Sequence, residues 1–160
     1  MSIKRVSLVA ACALGLVVAS GAGAAGTPKV FSFTSQHGIL TWIPALGGSP
    51  ADAVKQVGST AALTMRIANA SEQFGKPAGT TVGRILLDCR LLSVPSDGLC
   101  TGIVHVPNGY FLIGGNGPFT TGPRHYAITG GIGPYANARG EVTIATTAAQ
   151  TSQIGVMLLP

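Results

Sequence analysis

Charge is scarce in this chain: Asp, Glu, Lys and Arg together supply 9% of the residues, and only five are acidic. So low a density leaves no clustered Lys/Arg face of the kind that grips phosphate, so the net charge of +5 is not a sign of a nucleic-acid partner. The five acids, Asp52, Glu72, Asp88, Asp97 and Glu141, include no pair at short spacing for general acid and base work. Aromatics, at 6%, are too few for the girdles of a transmembrane barrel. There is no Gly-x-Ser-x-Gly elbow and no P-loop, and the three histidines, His37, His105 and His125, are scattered. No second cysteine pair or His-x-x-x-His spacing completes a zinc site, so no metal is expected. A long helical stripe is missing as well. What remains is a chain 46% hydrophobic with 23 Gly and 10 Pro, too apolar for disorder and long enough for one core.

Part of that apolarity sits at the start. Lys4 and Arg5 precede the uncharged run Val6 to Ala19, which ends in Ser20-Gly21-Ala22-Gly23-Ala24, the build of a secretory signal peptide cleaved after Ala24. Residues 1–24 are therefore read as a leader and 25–160 as the mature domain, secreted or periplasmic. A retained anchor and a lipoprotein box at Val9-Ala10-Ala11-Cys12 are the alternatives. The run falls short of the ~20 apolar residues that span a bilayer, and Cys12 lies inside it, not at its end. The mature chain keeps Cys89 and Cys100, an even pair for an oxidising compartment, so a disulfide is expected.

Past the leader, apolar residues alternate with period two between Gly, Pro, Asn and Ser punctuation, which predicts an all-β domain. Strands are expected over Val57–Ile67 and Arg84–Leu91, and near Lys29–Thr34, Ile39–Ile43, Gly98–Val106, Tyr110–Gly115, His125–Thr129, Glu141–Thr146 and Gln153–Leu159. Only Pro50 to Gln56 suggests a helical turn. Setting Cys89 opposite Cys100 brings Leu87 to Gly102 and Ile85 to Val104, one apolar face throughout. Asn108-Gly109 then predicts a type I′ hairpin that sets Val106 beside Phe111 and Val104 beside Ile113. About nine short strands without helical crossovers imply a sandwich or an antiparallel barrel; the barrel is preferred because closure removes exposed edges. Leu63, Met65, Ile85, Leu87, Val104, Phe111 and Ile113 then line the interior, with Gly83 and Gly102 leaving gaps for a ligand.

The segment from Gly117-Pro118-Phe119-Thr120 through Tyr126-Ala127-Ile128-Thr129-Gly130-Gly131-Ile132-Gly133-Pro134-Tyr135-Ala136-Asn137-Ala138-Arg139-Gly140-Glu141-Val142 resembles the signature of the allene oxide cyclase and dirigent superfamily. The likeness is close from Gly115 onward; upstream it extends only to strand order and spacing. It implies an antiparallel β-barrel of about eight strands, often with an apolar cavity, in proteins that steer cyclisation or radical coupling of a hydrophobic substrate. No catalytic residue of those proteins can be placed on a matching position here. Within the signature, Gly130, Gly131, Gly133 and Gly140 suit tight turns, Tyr135 packs beneath the loop, and Arg139 either caps loop carbonyls or pairs with Glu141. Gly131-x-Gly133-x-x-Ala136 also fits a dinucleotide fingerprint, but Pro134 interrupts it and no helix follows, so no nucleotide cofactor is expected.

The remaining polar candidates are Arg84 and Asp88, with Arg90 beside them and His105 across the sheet. Alternation sends them to water if the cysteine face points inward; turned inward, they would form a charge pair at a pocket. Asn69-Ala70-Ser71 matches a glycosylation acceptor. Two functions follow. One is a secreted barrel that binds a small apolar molecule and guides its cyclisation or coupling by shape. The other is a noncatalytic barrel with a filled interior, acting through its surface or by self-association. Fold alone does not choose between them.

Overall fold

The computed structural model describes residues 26–94, 97–118, 122–148 and 151–160. The expected leader with its expected cleavage after Ala24, Cys12 and the Phe119-Thr120 pair of the signature lie outside these residues. Eight strands form one closed antiparallel barrel in which each strand pairs with its sequence neighbours and the last returns to the first. In order they are β1 (Lys29–Ile43), β2 (Thr60–Asn69), β3 (Thr81–Ser93), β4 (Asp97–Val106), β5 (Gly109–Pro118), β6 (Arg124–Ile132), β7 (Gly140–Ala148) and β8 (Thr151–Leu158), with one short helix α1 (Pro50–Ala53). The lower end carries the β2–β3, β4–β5 and β6–β7 connections and both ends of the described chain. The upper end carries the other connections and α1.

Eight strands stand where the sequence suggested about nine, because the two expected near Lys29 and Ile39 are one strand. A register shift between Gln36 and Ile39 absorbs the break, and β1 stays paired with β2 on both sides of it, from Phe33 opposite Asn69 to Ile43 opposite Thr60. The cysteine register is as expected: Cys89 faces Cys100, Leu87 faces Gly102, and Ile85 faces Val104. The disulfide is formed, with a Cα–Cα separation of 4.0 Å.

One turn differs. Val106 pairs with Gly109, so Pro107 and Asn108, not Asn108 and Gly109, make the turn, and Val104 meets Phe111 while Gly102 meets Ile113. Proline explains the slip. In the expected register Pro107 would occupy a ladder position without an N–H to give, whereas at the first turn position its fixed φ is useful; Asn108 then takes the left-handed conformation at φ +69°. The slip is two residues long, so every side chain keeps its face.

The inward face is a continuous core. Phe33, Ile67, Ile85, Val104, Phe111, Val142, Ile154 and Val156 are fully buried and belong to one apolar cluster with Met65, Leu87, Ile113, Tyr126 and the cystine. The gaps expected at Gly83 and Gly102 are closed: a Cβ on Gly83 would strike the carbonyl of His105, and one on Gly102 would strike that of Leu86 and sit 2.6 Å from a Leu87 methyl. These glycines let neighbouring strands approach, and no room is left beside them.

Two loops seal the lower end. In the β6–β7 loop, Gly133 has φ +68° with the Asn108 carbonyl where a side chain would start, and Gly140 has φ +144° against the Met157 carbonyl. The Arg139 guanidinium donates to the carbonyls of Thr129 (3.0 Å) and Ala138 (2.8 Å), tying the loop to β6. Tyr135 lies over Phe111 with ring centroids 4.4 Å apart at 59°, and its hydroxyl donates to the Pro107 carbonyl. In the β2–β3 loop, Asn69 is 2% exposed and its Nδ2 donates to the carbonyls of Gln73 (2.8 Å) and Lys76 (3.0 Å). A nitrogen so engaged is no glycan acceptor in the folded protein, so the sequon reading fails on burial.

Candidate functional site

The seven interior candidates, Leu63, Met65, Ile85, Leu87, Val104, Phe111 and Ile113, all belong to or pack on the central cluster, Leu63 at its half-buried edge. They fill the barrel with one another. Arg84, Asp88 and Arg90 are exposed on the outer wall, and Arg84 stands opposite His105 as expected. The structure therefore does not bring Arg84 and Asp88 to the core.

A partly open cavity of about 140 Å³ lies elsewhere, at the upper end, lined by Cys100, Asn116, Gly117, Pro123, Arg124, His125 and Tyr126. Strand pairing explains its place. The paired part of β5 and β6 runs from Tyr110 opposite Ile132 to Gly114 opposite Ala127, after a register shift at Leu112–Ile113. Above that level, Gly115 to Pro118 are paired with β4, and Arg124 to Tyr126 with β7. The wall has a seam there, and the cavity is the seam, with half of the cystine in its lining. A cavity of about this size, ~150 Å³ when lined by aliphatic side chains, accommodates one benzene ring.

Its polar equipment comes from alternate residues of β6. Tyr126 is 4% exposed, and burial pushes its phenol above the ordinary tyrosine range, partly opposed by the charge of Arg124 and a hydrogen bond from it. The phenol oxygen accepts from the guanidinium, which makes the phenol a better donor in turn. A ring-sized molecule in the cavity would meet Cys100, Gly117 and Pro123 together with the phenol–guanidinium pair. That pair can hold a carbonyl, phenol or carboxylate oxygen and steady negative charge as it develops.

Sequence reasoning missed this pair. The alternation predicts a strand that starts at His125, one residue too late for Arg124, and Tyr126 stands out only as part of the signature. Alternation does place Arg124 and Tyr126 on the face of Ile128, which was the available signal; nothing local marks the seam that makes a cavity of their position.

Outside the wall, His125 Nδ1 lies 2.8 Å from Glu141 Oε1, both groups being well exposed, and the Thr143 hydroxyl donates to the same carboxylate oxygen at 3.0 Å. The bond from His125, then that from Thr143, lowers the carboxyl's pKa below its usual value. A carboxylate lowered in the folded state contributes stability above its unfolded pKa and loses it as pH falls through the folded value. The stability gap between wild type and Glu141→Gln should therefore be constant near neutrality and close below about pH 4.5. Urea midpoints between pH 3 and 7 measure it, and the gap, like any exposed pair's, should shrink in high salt.

No family model matches the chain, and no curated protein does. Solved structures do. A pyocyanin demethylase superposes with a TM-score of 0.59 at 20% identity, over 82% of this chain and 99% of that one. A pterocarpan synthase dirigent protein gives 0.55 at 13%, over 83% and 82%. An exo-specific intermolecular Diels-Alderase gives 0.56 at 9%, over 84% and 98%. With identities this low the likeness is one of architecture, and it agrees with what the Gly130–Gly140 signature implies: the chain folds as a closed eight-stranded antiparallel barrel, an architecture similar to that of the dirigent protein.

Proposed function

We propose that this chain is an exported barrel that binds a small, mainly apolar molecule through one ring-sized group in the upper cavity and steers its reaction by shape, with Arg124 and Tyr126 at its polar end. The observation that carries the reading is the buried Tyr126 phenol, bonded to the half-buried Arg124, at a partly open cavity beside a packed apolar core. A mechanism of this sort needs few ionisable groups, because holding one reactive conformer supplies much of the effect. The three barrels of like fold bear the names of a demethylase, a dirigent protein and a Diels-Alderase, which is support by analogy of architecture. The cavity is too small for the long apolar ligand that an open interior would suit. Export adds the removal of residues 1–24, which mass spectrometry of the secreted protein tests by an N-terminus at Ala25.

Burying about 200 Å² of a single ring at about 25 cal/mol per Å² gives about 5 kcal/mol before association costs, so high-micromolar to millimolar affinity is expected. Calorimetric titration with toluene, phenol and benzoate should give saturable binding, tightest for the two that carry oxygen. Tyr126→Phe should weaken phenol and benzoate about fivefold to tenfold, the worth of one hydrogen bond, and leave toluene unchanged. The packed core favours a second reading, a noncatalytic barrel acting through its surface. Absence of saturable binding across the panel would decide for that second reading.

A further inference from the structure

The lower end is stoppered by Phe74, whose backbone is unusual for such a side chain. Gln73 and Lys76 exchange both backbone hydrogen bonds, at 3.1 and 3.0 Å, around a two-residue turn in which Phe74 and Gly75 have φ of +56° and +65°. Positive φ at both positions is the type I′ pattern, which Asn, Asp and Gly fill readily and a bulky L residue does not. The other tight turn at this end obeys the preference, with Asn108 at its positive-φ position.

What Phe74 gains there is stacking. Its ring centroid lies 5.1 Å from that of Phe31 at 13° and 6.2 Å from that of Phe33 at 7°. Phe31 and Phe33 are successive inward residues of β1 with centroids 6.5 Å apart, so the three rings form a triangular cluster with nearly parallel planes at the barrel mouth, Phe74 lying nearest Phe31. The rest of the loop is held by polar bonds. The Gln73 carboxamide accepts from the Ser32 N–H at 3.0 Å and donates to the Ser32 carbonyl at 2.6 Å, while Asn69 Nδ2 binds the Gln73 and Lys76 carbonyls. Asn69 Oδ1 is buried without a partner. The ring thus sits in its seat on a hinge held against its own backbone preference.

We propose that the seat against Phe31 and Phe33 is a binding site for a small planar aromatic molecule, which enters by displacing the Phe74 ring. The exchange conserves what matters: the incoming ring takes over the stacked faces, and Phe74 returns to negative φ as its turn opens. An aliphatic molecule of equal size offers no flat face in return and gains less. The seat lies at the opposite end of the barrel from the Arg124–Tyr126 cavity, so it does not rest on that reading.

Indole is the probe. Titrated into wild-type protein labelled at phenylalanine, it should shift the Phe31 and Phe33 ring signals saturably, give intermolecular NOEs to both rings, and move the Phe74 ring toward the shifts of an exposed phenylalanine. Phe74→Gly accepts the positive φ and removes the competing ring, so it should bind indole at least tenfold more tightly. Phe74→Asn, the residue the turn prefers, does the same if the glycine loosens the loop. Cyclohexanol should displace indole from neither. Indole binding by the variants with the wild-type Phe31 and Phe33 signals unmoved would overturn the proposal and make Phe74 a permanent plug, as would equal affinity in all three proteins or NOEs confined to Tyr126.

Discussion

Phe111→Ala is expected to destabilise the barrel by about 4 kcal/mol, the upper part of the range for removing a fully buried aromatic ring. Phe111 is 0% exposed, lies opposite Val104 on β4 and Gly131 on β6, and carries Tyr135 on its ring. Its neighbours cannot relax into the void, because strands locked to both sides by backbone ladders fix their positions. The loss would also loosen the β6–β7 loop, since Tyr135 helps Arg139 to pin it. Urea unfolding of wild type, Phe111→Ala, Tyr135→Ala and the double variant measures both effects. A coupling of about 0.5–1.5 kcal/mol between the two rings is expected, and a loss below 2 kcal/mol for Phe111→Ala would contradict a solid core. Leu87→Trp is informative in the same way. In a hollow barrel it would be absorbed, whereas here the Leu87 methyl already lies where Gly102 would carry a Cβ, so overpacking should destabilise by about 1–3 kcal/mol.

Loss of the cystine should cost about 3 kcal/mol, the loop-closure value for a bridge between residues 11 apart. The sulfurs are buried in the core and join two strands that are already paired, so the native state should keep its register without them. Most of the effect should then appear in the unfolded state, which gains freedom when the crosslink is removed. Cys89→Ala with Cys100→Ala, compared with wild type by urea midpoints, gives the number. Alkylation of both thiols in unfolded, unreduced protein would show that the bridge is absent. Because Cys100 lines the upper cavity, reductant has a path to it in the folded state, and a ligand that fills the cavity should slow reduction.

Much of this architecture can be read along the chain, because the information is local. Alternation within single segments determined which side chains face inward, and Cys89 with Cys100 determined the β3–β4 register without any coordinates. The Gly130–Gly140 stretch determined the tight β6–β7 loop, since Gly133 and Gly140 combine positive φ with a neighbouring carbonyl where a side chain would start. The turn at Pro107 was only half legible. Asn108-Gly109 is a strong local signal, and it lost to a proline that could not serve in the ladder.

What the tertiary structure alone decided is volume and adjacency. Whether an apolar face encloses a cavity or a solid core depends on how closely eight strands approach and how residues such as Phe33, Phe111 and Val156 interdigitate, and no segment carries that sum. The seam between β5 and β6 arises from a register shift in one pair of strands and divergent partners above it, and it makes Tyr126 and Arg124 part of a cavity lining. Phe74 was likewise illegible. Its left-handed backbone is unfavourable locally and is offset by contact with two rings from β1, some forty residues earlier in the chain, together with the Gln73 and Asn69 hydrogen bonds that hold the turn.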